Sequence, residues 1–362
     1  MIPLDKPVKL SHLTLKNPFI RSAVHSFLGS ADGFMTDLEY QMYEELSSNN
    51  LALIISGHCC VLAGGLANKE QIRIDDDKYI SQFSKAATLI HKNHCLFMPQ
   101  ISHAGPRAID TTEFFDVSAG ALPKNHYAKE LSLEQIATIR TAFANAAYRL
   151  KQAGVDGVQL HGAHSYLLSR FIDKTFNKRN DEYGGSIENR FRLCAQIIKD
   201  IKEKCGKDFP VAIKINNDTN TDNDDYATDM QYVINKCHEL DVEFIEWSGV
   251  DFINQPRTSS LYYFDRIANF AKDAPLPMSI VGGIKSVDDI NKVLNSAIPL
   301  ISLARPLICE PDILTKFSLE KAQKSVCLSC NRCFAVPHLH HGVRCVLHWR
   351  NIRKQQQQQN LK

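Results

Sequence analysis

Two imidazoles and a phenol stand within six residues in the stretch "LHGAHSYL" (160–167), directly after the apolar run "GVQL". His161, His164 and Tyr166 are residue types that donate hydrogen bonds and move protons. Their spacing admits two readings: proton donors aimed at one substrate, or ordinary polar residues finishing a strand. A His-x-x-His pair can also hold a metal, although no acidic ligand lies near this one in the sequence. A second cluster lies toward the end of the chain, where Cys327, Cys330, Cys333 and Cys345 are spaced C-x2-C-x2-C-x11-C. Four thiolates at knuckle-like spacing form the donor set of a zinc ion or an iron-sulfur cluster.

Positioning such groups requires a scaffold, and the hydrophobic pattern supplies one. Eight short apolar runs alternate with amphipathic segments: "PFIRSA" (18–23), "LALIISG" (51–57), "LFMPQI" (96–101), "GVQLH" (157–161), "PVAIKI" (210–215), "EFIEWS" (243–248), "PMSIVG" (277–282) and "PLISLA" (299–304). The clearest helix starts at Ser132, with Gln135 completing a capping box, and stops at Gly154. Another runs from about Ser186 to Gly206, with Ile187, Phe191, Cys194, Ile198 and Ile201 on one face. Eight strand–helix units predict an α/β chain folded as a (β/α)8 TIM barrel, with a short Cys-rich C-terminal extension. The alternative is a larger open sheet, but no glycine-rich dinucleotide fingerprint follows the first strand. The expected divisions are a barrel over 1–324, a Cys-rich segment over 325–350 and a disordered tail over 351–362 that includes five consecutive glutamines. Segments 102–131 and 166–186 exceed plain connections and are expected to build the active-site face.

In a barrel, the C-terminal ends of the strands face the active site. That rule selects Ser22, Ala23 and His25, Gly57 and His58, Gln100 and His103, the His161, His164 and Tyr166 set, Lys214, Gly282 with Gly283, and Ala304 with Arg305. "VGGI" (281–284) and "LARP" (303–306) follow the last two strands, the usual phosphate position of a barrel, and offer close backbone approach beside a cation.

These stretches carry a resemblance. "LKNPFIRSA" (15–23), "LIISGH" (53–58), "PQISHAGPRA" (99–108), "GVQLHGAHSYLLSRFIDKTFNKRNDEYGGSIENRFRL" (157–193), "VAIKIN" (211–216) and "SLARPLICEPDI" (302–313) together resemble the old yellow enzyme family of FMN-dependent ene-reductases and NAD(P)H:flavin oxidoreductases, over nearly the whole chain. The resemblance implies a barrel, an FMN cofactor and NAD(P)H as co-substrate. It implies that Ser22, Ala23 and His25 line the flavin ring, Gly57 backs it and Gln100 bonds its pyrimidine edge. Lys214 would sit by flavin N1 and O2, where a cation stabilises the reduced form. Gly282, Gly283, Ala304 and Arg305 would hold the phosphate.

The chemistry so implied is hydride transfer from NAD(P)H through flavin to an alkene conjugated to a carbonyl. His161 and His164 would hold the carbonyl oxygen if the chain turns into a short helix, which puts neighbours three apart on one face. Tyr166 would protonate the α-carbon. Ser165 stands where the family often has Gly, and His25 where it often has Cys or Thr. The Cys-rich segment resembles the iron-sulfur segment of the dienoyl-CoA reductase branch, with two residues instead of three between the second and third cysteines. That branch carries a C-terminal FAD and NAD(P)H domain that a chain of this length is expected to lack, so zinc, with His338, His340 or His341 competing as ligands, is the alternative to a four-iron four-sulfur cluster. Competing activities are an NADH oxidase, an amine-oxidising flavoprotein, and a non-catalytic metal-binding protein on a degenerate barrel.

Composition narrows the partners. With 42 basic against 40 acidic residues and 44% hydrophobic residues, the chain has no footprint for nucleic acid or an anionic membrane. A small enone-type molecule is the expected partner, and assembly into a homo-oligomer stays open. The N-terminus lacks a leader pattern, and the seven remaining cysteines are scattered or adjacent (Cys59 and Cys60), which favours a reducing, cytoplasmic compartment.

Overall fold

Each of the eight apolar runs forms a strand, and the strands pair in parallel around a closed ring. The computed structural model describes residues 2–109, 111–217, 224–250, 252–334 and 342–347. His338, His340, His341 and the glutamine run lie outside the described residues. The staves are β1 (Phe19–Arg21), β2 (Leu53–Ile55), β3 (Leu96–Met98) continued as β4 (Gln100–Ser102), β5 (Val158–Gly162), β6 (Val211–Asn217), β7 (Ile245–Gly249), β8 (Met278–Ile280) and β9 (Leu300–Leu303). Pairing runs β4–β5–β6–β7–β8–β9–β1–β2–β3. The third stave is split by Pro99, which has no N–H for the ladder. Its two halves are joined covalently, so the ring is complete. The Pro99 carbonyl accepts from Gln159 N at 3.0 Å and keeps the split stave attached to β5.

Alternation along the strands separates two apolar regions. Outward side chains such as Ile54, Phe97, Val211 and Ile301 pack under the helices. Inward ones, among them Ile20, Leu53, Met98, Ala212, Phe244 and Leu300, fill the lower barrel together with Leu10 and Leu15 of an N-terminal hairpin. Two residues further along the same inward rows the chemistry changes to Ser22, Gln100, Lys214, Glu246 and Ser302. Register aligns His161 with Lys214, and Lys214 with Glu246, in one row across β5, β6 and β7. A period-2 pattern thus lifts polar groups to the C-terminal rim.

The outer ring is α1 (Asp37–Ser47), α2 (Ile80–His91), α3 (Leu133–Gln152), the short α4 (Leu167–Ile172), α5 (Ile187–Cys205), α6 (Asp224–Glu239), α7 (Phe264–Lys272), α8 (Val287–Leu294), α9 (Arg305–Cys309) and α10 (Ile313–Ser318). The capping box of Ser132 and Gln135 forms at the start of α3. On α5 the stripe from Ile187 to Ile201 is buried as its spacing predicts.

The segment "RNDEYGGSIENR" is architectural. Arg179 is 5% exposed, and its guanidinium donates to the carbonyls of Val117 and Leu131 at 3.0 and 2.8 Å while pairing with Asp181. Gly184 packs so closely that a Cβ there would lie 2.0 Å from the Arg179 carbonyl oxygen. The long excursion after β4, which folds as a small sheet of Phe114–Asp116, Gly120–Leu122 and His126–Glu130, is thereby tied to the start of α5.

One local expectation is corrected. Residues 161–164 do not turn into a right-handed helix: His164 and Ser165 lie at φ 60 and 57°, and helix begins only at Leu167, with Tyr166 as its N-cap. Two successive left-handed residues reverse the chain after β5 and return Tyr166 toward His161. Glycine adopts the φ of Ser165 without the steric cost that serine carries.

Candidate active site

A cavity of about 300 Å³ opens at the C-terminal rim. It is lined by Ser22, Ala23, His25, His58, Gln100, His161, His164, Tyr166, Lys214, Gly282, Gly283, Ala304 and Arg305, so thirteen of the fifteen strand-end residues selected from sequence meet there. His103 and Gly57 are not in the lining, and Gly57 lies directly behind it. A Cβ at Gly57 would come within 2.9 Å of the Val24 oxygen and 3.2 Å of His25 Cα, so the glycine sets how closely the first-strand loop approaches.

The floor is a hydrogen-bonded chain that sequence reading only half foresaw. Lys214 Nζ donates to Ser22 Oγ at 2.9 Å and pairs with Glu246 Oε2 at 3.2 Å. The same carboxylate oxygen accepts from Gln159 Nε2 at 2.9 Å, and Gln159 Oε1 accepts from Gln100 Nε2 at 2.7 Å. Lys214 and Glu246 are 2% and 0% exposed. Burial lowers the Lys214 pKa, and the Glu246 charge opposes that shift. Glu246 and Gln159 were legible as inward positions of β7 and β5, but nothing in their spacing marked them as partners of Lys214.

The opposite wall is aromatic and neutral. Ring centroids of His161 lie 5.2 Å from His164 and 4.8 Å from Tyr166, and His58 stands 4.9 Å from Tyr166. His161 is 3% exposed, and among the described residues its buried Nδ1 has no hydrogen-bond partner. His164 Nε2 meets Ser248 Oγ at 2.8 Å, and its backbone N–H donates to Asn216 Oδ1 at 2.9 Å, which anchors the left-handed turn. Burial, reinforced by Lys214 and Arg107, pushes His164 down to about 3. Burial alone takes His103 to about 4, and His25 falls to about 4 despite its bond to Asn68. His58 and His161 are also driven well below the usual imidazole range by burial and by neighbouring imidazoles. Burial raises the Tyr166 phenol, and Arg107 partly offsets it.

At the third side, Gly282 and Gly283 adopt φ 147 and 76°. Arg305 is held by Asn331 Oδ1 at 2.7 Å and the Tyr262 hydroxyl at 3.3 Å. Asn331 belongs to the Cys-rich segment, so that segment braces the cation at the rim, with Ser329, Cys327 and Phe334 completing the lining. Cys327, Cys330, Cys333 and Cys345 surround a second cavity of about 20 Å³. A fifth thiol, Cys309 at the end of α9, joins them with its Sγ 3.4 Å from that of Cys345. Among the described residues no three Cys, His, Asp or Glu side chains form a ligand set for a metal ion. No helix among them is long and apolar enough to cross a membrane.

The site is a barrel rim with a glycine–arginine side, a buried lysine floor and an imidazole–phenol wall, and comparison gives the class of the chain. The chain belongs to the NADH:flavin oxidoreductase / NADH oxidase family, whose model matches residues 3–324. It is 27% identical over 338 residues to an NADH oxidase of Thermoanaerobacter brockii, covering 89% of this chain and 52% of the relative. The structure resembles a 2-naphthoyl-CoA reductase in complex with 2-naphthoyl-CoA, with a TM-score of 0.81 and 20% identity over 88% of this chain and 52% of the other. It also resembles an old yellow enzyme homologue from Zymomonas mobilis, with a TM-score of 0.77 and 22% identity over 90% of this chain and 96% of the other. The chain thus spans about half the length of the NADH oxidase and of the naphthoyl-CoA reductase, and nearly all of the Zymomonas protein.

Proposed function

We propose that this chain is an FMN-dependent NAD(P)H oxidoreductase that reduces alkenes conjugated to a carbonyl. The observation that carries the reading is the buried His161 Nδ1, unpartnered among the described residues, on a side chain that shares one cavity with Tyr166, Lys214 and Gln100. The donor set fits a flavin: Gln100 and Lys214 for its polar edge, Ser22, Ala23 and His25 along the ring with Gly57 behind, and Gly282, Gly283, Ala304 and Arg305 for the phosphate. When bound, FMN supplies the hydride carrier between NAD(P)H and the alkene.

The residues of the chain do the rest. His161 and His164 are held neutral and each keeps one N–H, so they can hold the substrate oxygen as negative charge grows there without carrying charge themselves. Tyr166 gives its proton to the α-carbon, and its raised pKa keeps it protonated until a strongly basic carbon forms. Lys214 is tethered by Ser22 and Glu246, which fixes a cation without letting it reach solvent.

For the Cys-rich segment, 325–350, we propose a four-iron four-sulfur cluster on Cys327, Cys330, Cys333 and Cys345. Thiols spread around a cavity suit a cluster, whose cysteines bind separate irons, better than the single tetrahedral point of zinc.

An absorption spectrum with metal analysis tests the cofactors, and anaerobic turnover of cyclohexenone against oxygen consumption in air tests the activity. Flavin bands with alkene reduction are the expected result. Colourless protein that cannot be reconstituted with FMN sinks the proposal. Oxygen consumption without alkene reduction would make it an NADH oxidase, the activity named for the Thermoanaerobacter relative.

A further inference from the structure

Beside the cavity, a run of hydrogen bonds decides which nitrogen of a buried histidine carries its proton. The backbone N–H of Ala67 donates to Gln71 Oε1 at 2.7 Å, which fixes the orientation of that amide. Gln71 Nε2 therefore points the other way and donates to His58 Nδ1 at 2.9 Å and to the His58 carbonyl at 3.1 Å. The Ser102 hydroxyl lies 2.9 Å from the same Nδ1. A nitrogen approached by donors is the unprotonated one, so a neutral imidazole here carries its hydrogen on Nε2. That Nε2 faces Tyr166 Oη at 3.5 Å.

We propose that His58 is a positioning residue for Tyr166: its Nε2–H donates to the phenol oxygen and stabilises the phenolate left when Tyr166 gives up its proton, with Gln71 setting the required tautomer. The proposal rests on Tyr166 being the proton donor of the reaction above. In the step, the Tyr166 O–H bond breaks and a C–H bond forms at the substrate α-carbon. The phenolate is held by the His58 N–H and then takes a proton from water. Other groups that face Tyr166 are His161, with ring centroids 4.8 Å apart, and Arg107, whose guanidinium carbon lies 5.8 Å from the ring centroid. Arg107 favours the phenolate in the same direction but reaches the ring, whereas His58 reaches the oxygen.

Packing alone does not explain the arrangement. An apolar ring at position 58 would fill the space between His25 and Tyr166, and would need no partner on its far side. Gln71 is 0% exposed, and its amide is committed to His58 and Ser102. Burial keeps His58 uncharged, so it has a single N–H to offer.

Ultraviolet titration of the full chain, taken as the difference between each protein and its Tyr166→Phe counterpart, isolates Tyr166 from the other tyrosines and from any bound chromophore. His58→Leu is expected to move the Tyr166 ionisation up by about one pH unit, the size of a modest hydrogen bond to a charged group. His58→Gln, which keeps a donor, should return it toward the wild-type value, and Gln71→Leu should give a smaller upward move by releasing the tautomer. An unchanged ionisation in His58→Leu, or equal shifts in the Leu and Gln variants, overturns the proposal. Cyclohexenone reduction by Tyr166→Phe is measured in parallel. A wild-type rate there would remove the proton-donor role itself, and with it the catalytic purpose of His58, whatever the titration shows. A slowed rate without any shift in His58→Leu would leave Tyr166 as the acid and refute only His58.

Discussion

The floor of the cavity and the wall above it solve the problem of buried polar groups differently. On the floor, Lys214 and Glu246 sit 3.2 Å apart on adjacent strands, and Ser22, Gln159 and Gln100 extend the chain of bonds. On the wall, His58, His161 and His164 are uncharged, and one of their nitrogens, His161 Nδ1, is unpartnered among the described residues. The floor is thus fixed electrostatically by strand register, although Glu246 Oε1 is buried without a partner among the described residues. The wall keeps unspent hydrogen-bonding capacity, which is what a substrate oxygen needs. On the proposed reading, the ion-paired groups of the floor position the cofactor, and the neutral donors of the wall meet the charge that grows during the reaction.

Acid should break the wall first, and by the largest margin. Each of these imidazoles, and His25 and His103 with them, is held neutral when folded and protonates near pH 6.5 when unfolded, so the unfolded state binds more protons below that pH. Stability contributed by keeping them neutral is complete above about pH 6.5 and is lost as pH falls toward the folded values of about 4 for His25 and His103 and about 3 for His164. The expected slope is about 1.4 kcal/mol per pH unit for each such imidazole. Denaturant midpoints between pH 7 and 5 measure it, and His103→Gln should flatten the slope.

Tyr166→Phe should slow alkene reduction by roughly 10²- to 10⁴-fold while leaving flavin reduction by the nicotinamide nearly intact. Rapid-mixing kinetics on the two half-reactions check this, and an unchanged rate of alkene reduction would refute the proton-donor role. On the floor, Lys214→Met strands a buried carboxylate and is expected to cost about 3–5 kcal/mol, with Lys214→Met/Glu246→Gln recovering a large part of it. Additive losses in that double variant would show that the pair is not coupled. The smallest effect belongs to the turn: Ser165→Gly relieves a left-handed serine and should stabilise by up to about 1 kcal/mol, read as a raised thermal midpoint.

Most of the barrel was legible, because a residue's face follows from period-2 alternation and strand ends follow from the run lengths. Thirteen predicted residues meet in one cavity for that reason. Position along a strand says nothing about which strand lies beside it, so the sequence does not mark Glu246 and Gln159, on the two neighbouring strands, as companions of Lys214. The turn after β5 was misread because serine and histidine carry no local mark of a positive φ. Cys309 was grouped with the scattered cysteines, since only the fold brings the end of α9 against Cys345.

By itself the sequence determined the eight staves, the inward rows that become polar at the rim, and the membership that the match over residues 3–324 makes plain. Tertiary structure alone decided the pairings: which carboxylate neutralises Lys214, which amide sets the tautomer of His58, and which tail residue holds Arg305. Local periodicity is written into neighbouring residues, whereas these pairings join groups far apart in the chain and exist only once the ring has closed.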